Sequence, residues 1–186
     1  MGHSSNKLYA ELVAHLPVPK NRWPRWIVTG GGVGYMRPAP GSWGTIPPAT
    51  LYCLMLWYDV AEPYRSIVLL VWAAVWSVLL IAYGNWACAY FRKPDPGHVI
   101  IDEYAGFAVA VAFMPVPSWC GHDRFHLFLF VAALYVLFRA TDTLKLPPAR
   151  QLERLPFGWG ILLDDLASGL QANILAQLII LFWLRN

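Results

Sequence analysis

Between Tyr64 and Phe91 the chain runs for 28 residues with one charge, Arg65. At about 1.5 Å per residue such a helix covers some 42 Å, more than the roughly 30 Å hydrocarbon core of a bilayer. A run this long and apolar has no soluble alternative in a chain of 186 residues. Four further apolar stretches accompany it, at about Ile46–Val60, Val99–Val116, Phe125–Thr143 and Asp164–Trp183. With 58% hydrophobic and 13% charged residues, little chain is left for a separate soluble domain. The expected fold is an all-α integral membrane protein, a compact bundle of about five membrane-embedded helices. Residues 1–28 read as an amphipathic, basic N-terminal segment with a short helix from about Asn6 to Leu16, and residues 29–186 as the membrane-embedded domain. The N-terminus does not read as a signal peptide.

The first stretch is short for a crossing, about 22 Å for 15 residues, and spans or re-enters. Pro47 and Pro48 suit its start. The Gly- and Pro-rich residues before it, Thr29 to Pro48, read as a loop whose amides can approach an anion. Three cysteines, Cys53, Cys88 and Cys120, lack metal-ligand spacing and read as structural. His98 reads as a surface residue, and nothing indicates a nucleic-acid partner.

Five crossings alternate the loops between two sides. Eleven Lys and Arg then fall on the side of the N-terminus and three on the other, which places the N-terminus in the cytoplasm. The same side collects the unusual polar residues: Gly41-Ser42-Trp43-Gly44-Thr45, Asp95 to Glu103, Arg139 to Lys145, and Asp164-Asp165. Alone, each acid at a helix start is explained by capping and the macrodipole. Six acids at the ends of three segments on one face, however, repel one another unless cations neutralise them. Oxygen ligands without sulfur suit a hard cation such as Mg²⁺, commonly held together with substrate phosphate.

Spacing adds detail. Gly106 follows Asp102 by four residues, Ser168 follows Asp164 and Gly169 follows Asp165, so a small residue lies one turn below each acid and permits close helix packing. Arg139, Asp142 and Lys145 recur every three residues, one carboxylate between two cations, as a phosphate or metal pocket. Thiol-phosphatase Cys–Arg spacing, an Asp-x-Asp nucleophile pair, Pro-Ser-Gly-His and Asp-Gly-x-x-Ala-Arg are all absent from the sequence. A cation transporter or channel subunit is the rival reading, since intramembrane acids also mark ion paths.

Four motifs, Pro40–Thr45, Ile100–Gly106, Phe138–Lys145 and Gly158–Gly169, resemble those of the phosphatidylglycerophosphatase A family of bacterial membrane phosphatases, in the family's order. The likeness covers roughly Gly34 to Ala176. It departs at Lys145-Leu146-Pro147, where the family has Lys-Pro, at Phe157-Gly158 in place of Gly-Gly, and at Ser168 in place of Ala. The resemblance implies Mg²⁺-dependent removal of the terminal phosphate of phosphatidylglycerophosphate, a phospholipid substrate, in the bacterial inner membrane with the site facing the cytoplasm. On that basis Asp102, Glu103, Asp164 and Asp165 are expected to hold Mg²⁺, and Arg139 and Lys145 to clamp the phosphoryl group. Ser42 or Thr45 completes the cradle, with Asp142 among the catalytic residues. Water or an aspartate remains open as the nucleophile.

Overall fold

The computed structural model describes residues 10–121 and 123–185. Five long helices dominate: α1 Pro40–Trp57, α2 Tyr64–Phe91, α3 Ile101–Val111, α4 Arg124–Leu144 and α5 Gly158–Arg185. Short helical turns occupy residues 10–15, Pro24–Val28, Val33–Tyr35, Ser118–Gly121 and Ala149–Leu152, and no strand occurs among the described residues.

Among the described residues, three helices are long and apolar enough to cross a membrane: Tyr64–Phe91, Arg124–Leu144 and Gly158–Phe182. This narrows the count of about five crossings. α3 has only 11 residues, about 16 Å, or half a hydrocarbon core. It is the centre of the bundle rather than a wall of it, with nine of its residues buried and α1, α2, α4 and α5 packed around it.

A helix that stops inside a bundle leaves carbonyls without intrahelical donors, a costly condition away from water. Asn173 of α5 meets that need. Its buried side-chain amide donates to the carbonyls of Val109, Ala110 and Ala112 at 3.2, 2.9 and 2.8 Å, and its own oxygen accepts from Gln177 at 2.7 Å. The chain beyond α3 continues without helix, and the Phe113 amide donates to Ser66 Oγ near the start of α2. The third segment thus reaches the far end of the bundle by half a helix followed by a turn, with Phe113 at φ +53°, and irregular backbone. Chain direction alternates through all five helices, so the beginnings of α1, α3 and α5 and the ends of α2 and α4 lie at one end.

The sequence reading of Thr29–Pro48 as a loop is corrected in its second half. α1 begins at Pro40, and Pro47 and Pro48 lie inside it. Gly41-Ser42-Trp43-Gly44-Thr45 therefore forms helix, with its two glycines three residues apart on one face. α5 likewise starts earlier than expected, at Gly158. Asp164 and Asp165 stand nearly two turns inside the helix, beyond the amides that a capping acid serves.

The N-terminal residues are strapped onto this same end. Val13 and Val28 are fully buried. The Arg92 guanidinium donates to Ala14 O at 2.6 Å, Trp86 Nε1 to Asn21 O at 2.9 Å, and the Ile100 amide to Val28 O at 3.0 Å, immediately before α3. Of the expected helix Asn6–Leu16, residues 10–15 are helical and residues 6–9 lie outside the described residues.

Candidate active site

Glycines bring the acids together. A Cβ on Gly169 would collide with the Gly106 carbonyl oxygen, and one on Gly106 would stand 2.9 Å from both the Asp165 carbonyl oxygen and the Phe138 ring. With hydrogen in those places, α3 and α5 approach backbone to backbone. One turn further along, Asp102 and Glu103 of α3 meet Asp165 of α5. One ligand oxygen from each of the three carboxylates lies within 4.8 Å of the others, and Asp102 and Asp165 are buried.

α1 closes this cluster from the side by the same device. A side chain on Gly41 would overlap Glu103 Oε1 and crowd the Arg139 guanidinium, and one on Gly44 would reach Ile100 at 2.8 Å and Glu103 Oε2 at 3.4 Å. Ser42 is held by its backbone, its carbonyl accepting from the Tyr135 hydroxyl at 2.9 Å. Thr45 is fully buried and its hydroxyl donates to Gly41 O at 2.9 Å, a bond inside its own helix. The motif thus meets the acids through its glycines.

Arg139 of α4 lies alongside. Its Nη1 is 3.0 Å from Asp142 Oδ2 and 3.8 Å from Glu103 Oε1. The guanidinium contacts two of the carboxylates here, Asp142 and Glu103, while Asp102 and Asp165 cluster with Glu103. Buried like charges at such separations disfavour joint ionisation unless a further cation joins them. Glu103 Oε2 and Asp165 Oδ2 are buried and accept no hydrogen bond. Acceptor oxygens without donors, hard-ligand chemistry and excess negative charge together fit a divalent cation held by Asp102, Glu103 and Asp165.

Asp164 and Lys145, expected in the same cluster, belong to a neighbouring one. Lys145 is the residue that ends α4, with φ +44°, so its side chain leaves the helical stripe of Arg139 and Asp142. Its Nζ is 2.7 Å from Asp164 Oδ2 and 3.1 Å from Glu153 Oε1. Partial burial works against the ammonium, but hydrogen bonds and charge from Asp164, then Glu153, outweigh it and hold the Lys145 pKa above its usual value. A cavity of about 240 Å³ adjoins this pair, walled by Asp95, Glu153, Leu155, Phe157, Ile161 and Asp164.

Asp102 also accepts from the Glu103 amide, through Oδ1 at 3.0 Å, in the first turn of α3, where the helix dipole favours negative charge. Sequence reasoning passed over Glu153, which sits in a polar link and carries no motif. It also passed over the roles of Gly41 and Gly44, whose three-residue spacing has meaning only once the segment is helical.

The family described as Phosphatidylglycerophosphatase A matches this chain over residues 26–180. A Haemophilus influenzae protein named "Phosphatidylglycerophosphatase A" is 27% identical over 85% of this chain and 88% of its own length. A Bacteroides thetaiotaomicron protein named "Putative phosphatidylinositol-3-phosphatase" is 30% identical over 82% and 90%. The Escherichia coli "Phosphatidylglycerophosphatase A" is 28% identical over 83% and 82%. No solved structure matches.

Proposed function

Because the chain belongs to the phosphatidylglycerophosphatase A family and is thus a phosphoric monoester hydrolase, we propose that it hydrolyses the terminal phosphate of phosphatidylglycerophosphate in a Mg²⁺-dependent reaction, giving phosphatidylglycerol and inorganic phosphate. The observation that carries this reading is the convergence of Asp102, Glu103 and Asp165 beside Arg139 at one end of a membrane bundle.

In the reaction a bond forms between phosphorus and the oxygen of water, and the bond from phosphorus to the glycerol oxygen breaks. The departing alkoxide takes up the proton that the water gives up, so the overall hydrolysis balances. Charge on the three equatorial oxygens must be neutralised as this happens. Mg²⁺ bound by Asp102, Glu103 and Asp165 would supply positive charge to the phosphoryl group in a site otherwise too acidic to accept it. Arg139 supplies the guanidinium, a planar donor suited to two phosphoryl oxygens. Asp142, 3.0 Å away, forms an ion pair with it. Gly41 and Gly44 keep α1 close without filling the space beside Glu103. The backbone of α1 and α3, rather than the Thr45 hydroxyl, forms the wall of the site.

The excess of Lys and Arg at this end of the bundle supports a cytoplasmic orientation in a bacterial inner membrane. There the headgroup stays in water and the acyl chains stay in the bilayer. The name of the Bacteroides relative makes phosphatidylinositol 3-phosphate the second substrate to assay.

The test is phosphate release by detergent-purified protein from phosphatidylglycerophosphate, with Mg²⁺ and with chelator. Release that chelator abolishes and Mg²⁺ restores is the expected result. Release from phosphatidylinositol 3-phosphate alone would reassign the substrate, and chelator-insensitive release would remove the metal.

A further inference from the structure

Phosphatidylglycerophosphate carries two phosphates, and only one is cleaved. The other, the phosphodiester joining glycerol to the diacylglycerol, keeps a permanent negative charge and must also come to rest near a cluster rich in carboxylates. Arg139 is committed to the acids around the cleaved group, at 3.0 Å from Asp142 and 3.8 Å from Glu103. The second cation, Lys145, stands apart from it. It departs from the α4 stripe in a left-handed backbone conformation and pairs with Asp164, not with Asp165.

Its two partners differ in kind. Asp164 is buried within α5, and the Lys145–Asp164 contact of 2.7 Å ties the end of α4 to α5. Glu153 has a side chain 42% exposed, on the link between α4 and α5, and reaches Lys145 at 3.1 Å from the solvent side. An exposed carboxylate regains its hydration when it leaves, so exchanging it for another singly charged anion costs little. Asp95, Glu153 and Asp164 line the 240 Å³ cavity on one side, so an anion entering it depends on Lys145, and the other wall is apolar: Leu155, Phe157 and Ile161. A cation beside a cavity with one apolar wall suits the boundary between a headgroup and its diacylglycerol.

We infer that Lys145 binds the retained phosphodiester of the substrate and that Glu153 holds its place when substrate is absent. This rests on the lipid-phosphatase reading above. Lys145 is then a determinant of which lipid is accepted, and Arg139 alone among the two serves the transferred group.

Two competitors of phosphate release separate these roles. Phosphatidylglycerol in mixed micelles presents only the retained phosphodiester, and inorganic phosphate only the transferred group. In Lys145→Gln, inhibition by phosphatidylglycerol should weaken about tenfold, the size of one charge-assisted hydrogen bond, with inhibition by inorganic phosphate unchanged. In Glu153→Gln, phosphatidylglycerol should inhibit about threefold more tightly, because an exposed ion pair no longer competes. Equal weakening of both competitors in Lys145→Gln, or no change in either, would overturn the inference. Should that variant not fold, Glu153→Gln decides: unaltered or weaker inhibition by phosphatidylglycerol overturns it. A wild-type protein that releases no phosphate from phosphatidylglycerophosphate would remove the underlying reading instead.

Discussion

Two groups of acids share the end of this bundle and are neutralised in opposite ways. Around Asp102, Glu103 and Asp165, the one guanidinium contacts only Glu103 and the neighbouring Asp142, and buried oxygens lack donors. Around Asp164, one residue earlier on the same helix, a lysine takes two carboxylates at 2.7 and 3.1 Å. The first group is under-neutralised and suited to an added ion. The second has its acids held by direct contact with an ammonium, which pairs with Asp164 and Glu153 although it offsets only one of their two charges. Adjacent residues on α5 point about 100° apart, and that rotation alone sends Asp165 to one cluster and Asp164 to the other. Neighbouring positions in a sequence can therefore meet unrelated partners, and in the proposed function Asp165 serves the chemistry while Asp164 holds the walls.

Isosteric neutralisation is the strongest way to break this contrast. Asp165→Asn should lower phosphate release on the order of 10²–10³-fold, the size of losing one preorganised electrostatic contact. Without metal, the same variant should melt no lower than wild type, because removing one buried like charge relieves repulsion. Added Mg²⁺ should raise its melting temperature less than that of wild type. Near-normal turnover would end the claim that Asp165 belongs to the reaction.

Gly169→Ala tests whether helix approach is what assembles the first cluster. Its methyl meets the Gly106 carbonyl oxygen, so α3 and α5 must separate, at a cost of roughly 1–3 kcal/mol. A displacement of about 1 Å between Asp102 and Asp165 should reduce turnover about 10²-fold. Unchanged turnover in the folded variant would show that the site tolerates a wider gap.

Asp164→Asn should have the opposite stability sign to Asp165→Asn. It takes from Lys145 its buried partner and leaves the more exposed Glu153, lowering stability by roughly 1–2 kcal/mol in thermal or denaturant unfolding in detergent. Turnover should fall only about tenfold, since an ion pair beside the reaction is lost and no ligand is. Equal effects from the two substitutions would erase the distinction between the clusters.

The smallest expected effect on chemistry comes from the other end of α3. Asn173→Ala leaves the carbonyls of Val109, Ala110 and Ala112 without their side-chain donor and should cost about 1–3 kcal/mol of stability. Turnover per folded molecule should hold, which urea or thermal unfolding alongside phosphate release will show.

Much of this protein is legible in its residues. The run Tyr64–Phe91 commits the chain to a membrane, and the small residues one turn below Asp102 and Asp165 foretell the close approach of α3 and α5. The placement of all four motifs at one end followed from counting segments, although only three of the five are long and apolar enough to cross. The alternation survives because the Val99–Val116 segment still runs from end to end of the bundle, part as helix and part as turn and irregular backbone. Prolines misled the reading of α1: Pro47 and Pro48 look like a start, yet the helix is already underway at Pro40 and carries them within it.

Sequence by itself determined which residue types stand at the lips of which apolar stretches, since hydrophobic length and acid placement are properties of the chain alone. Only the tertiary structure decided their partners. Which acid meets Arg139 and which meets Lys145 depends on where a helix begins, how far it has turned, and how it ends. The left-handed backbone at Lys145 swings an ammonium out of a stripe that a regular helix would have kept in line, and Glu153 finds it there across a link that no periodicity describes.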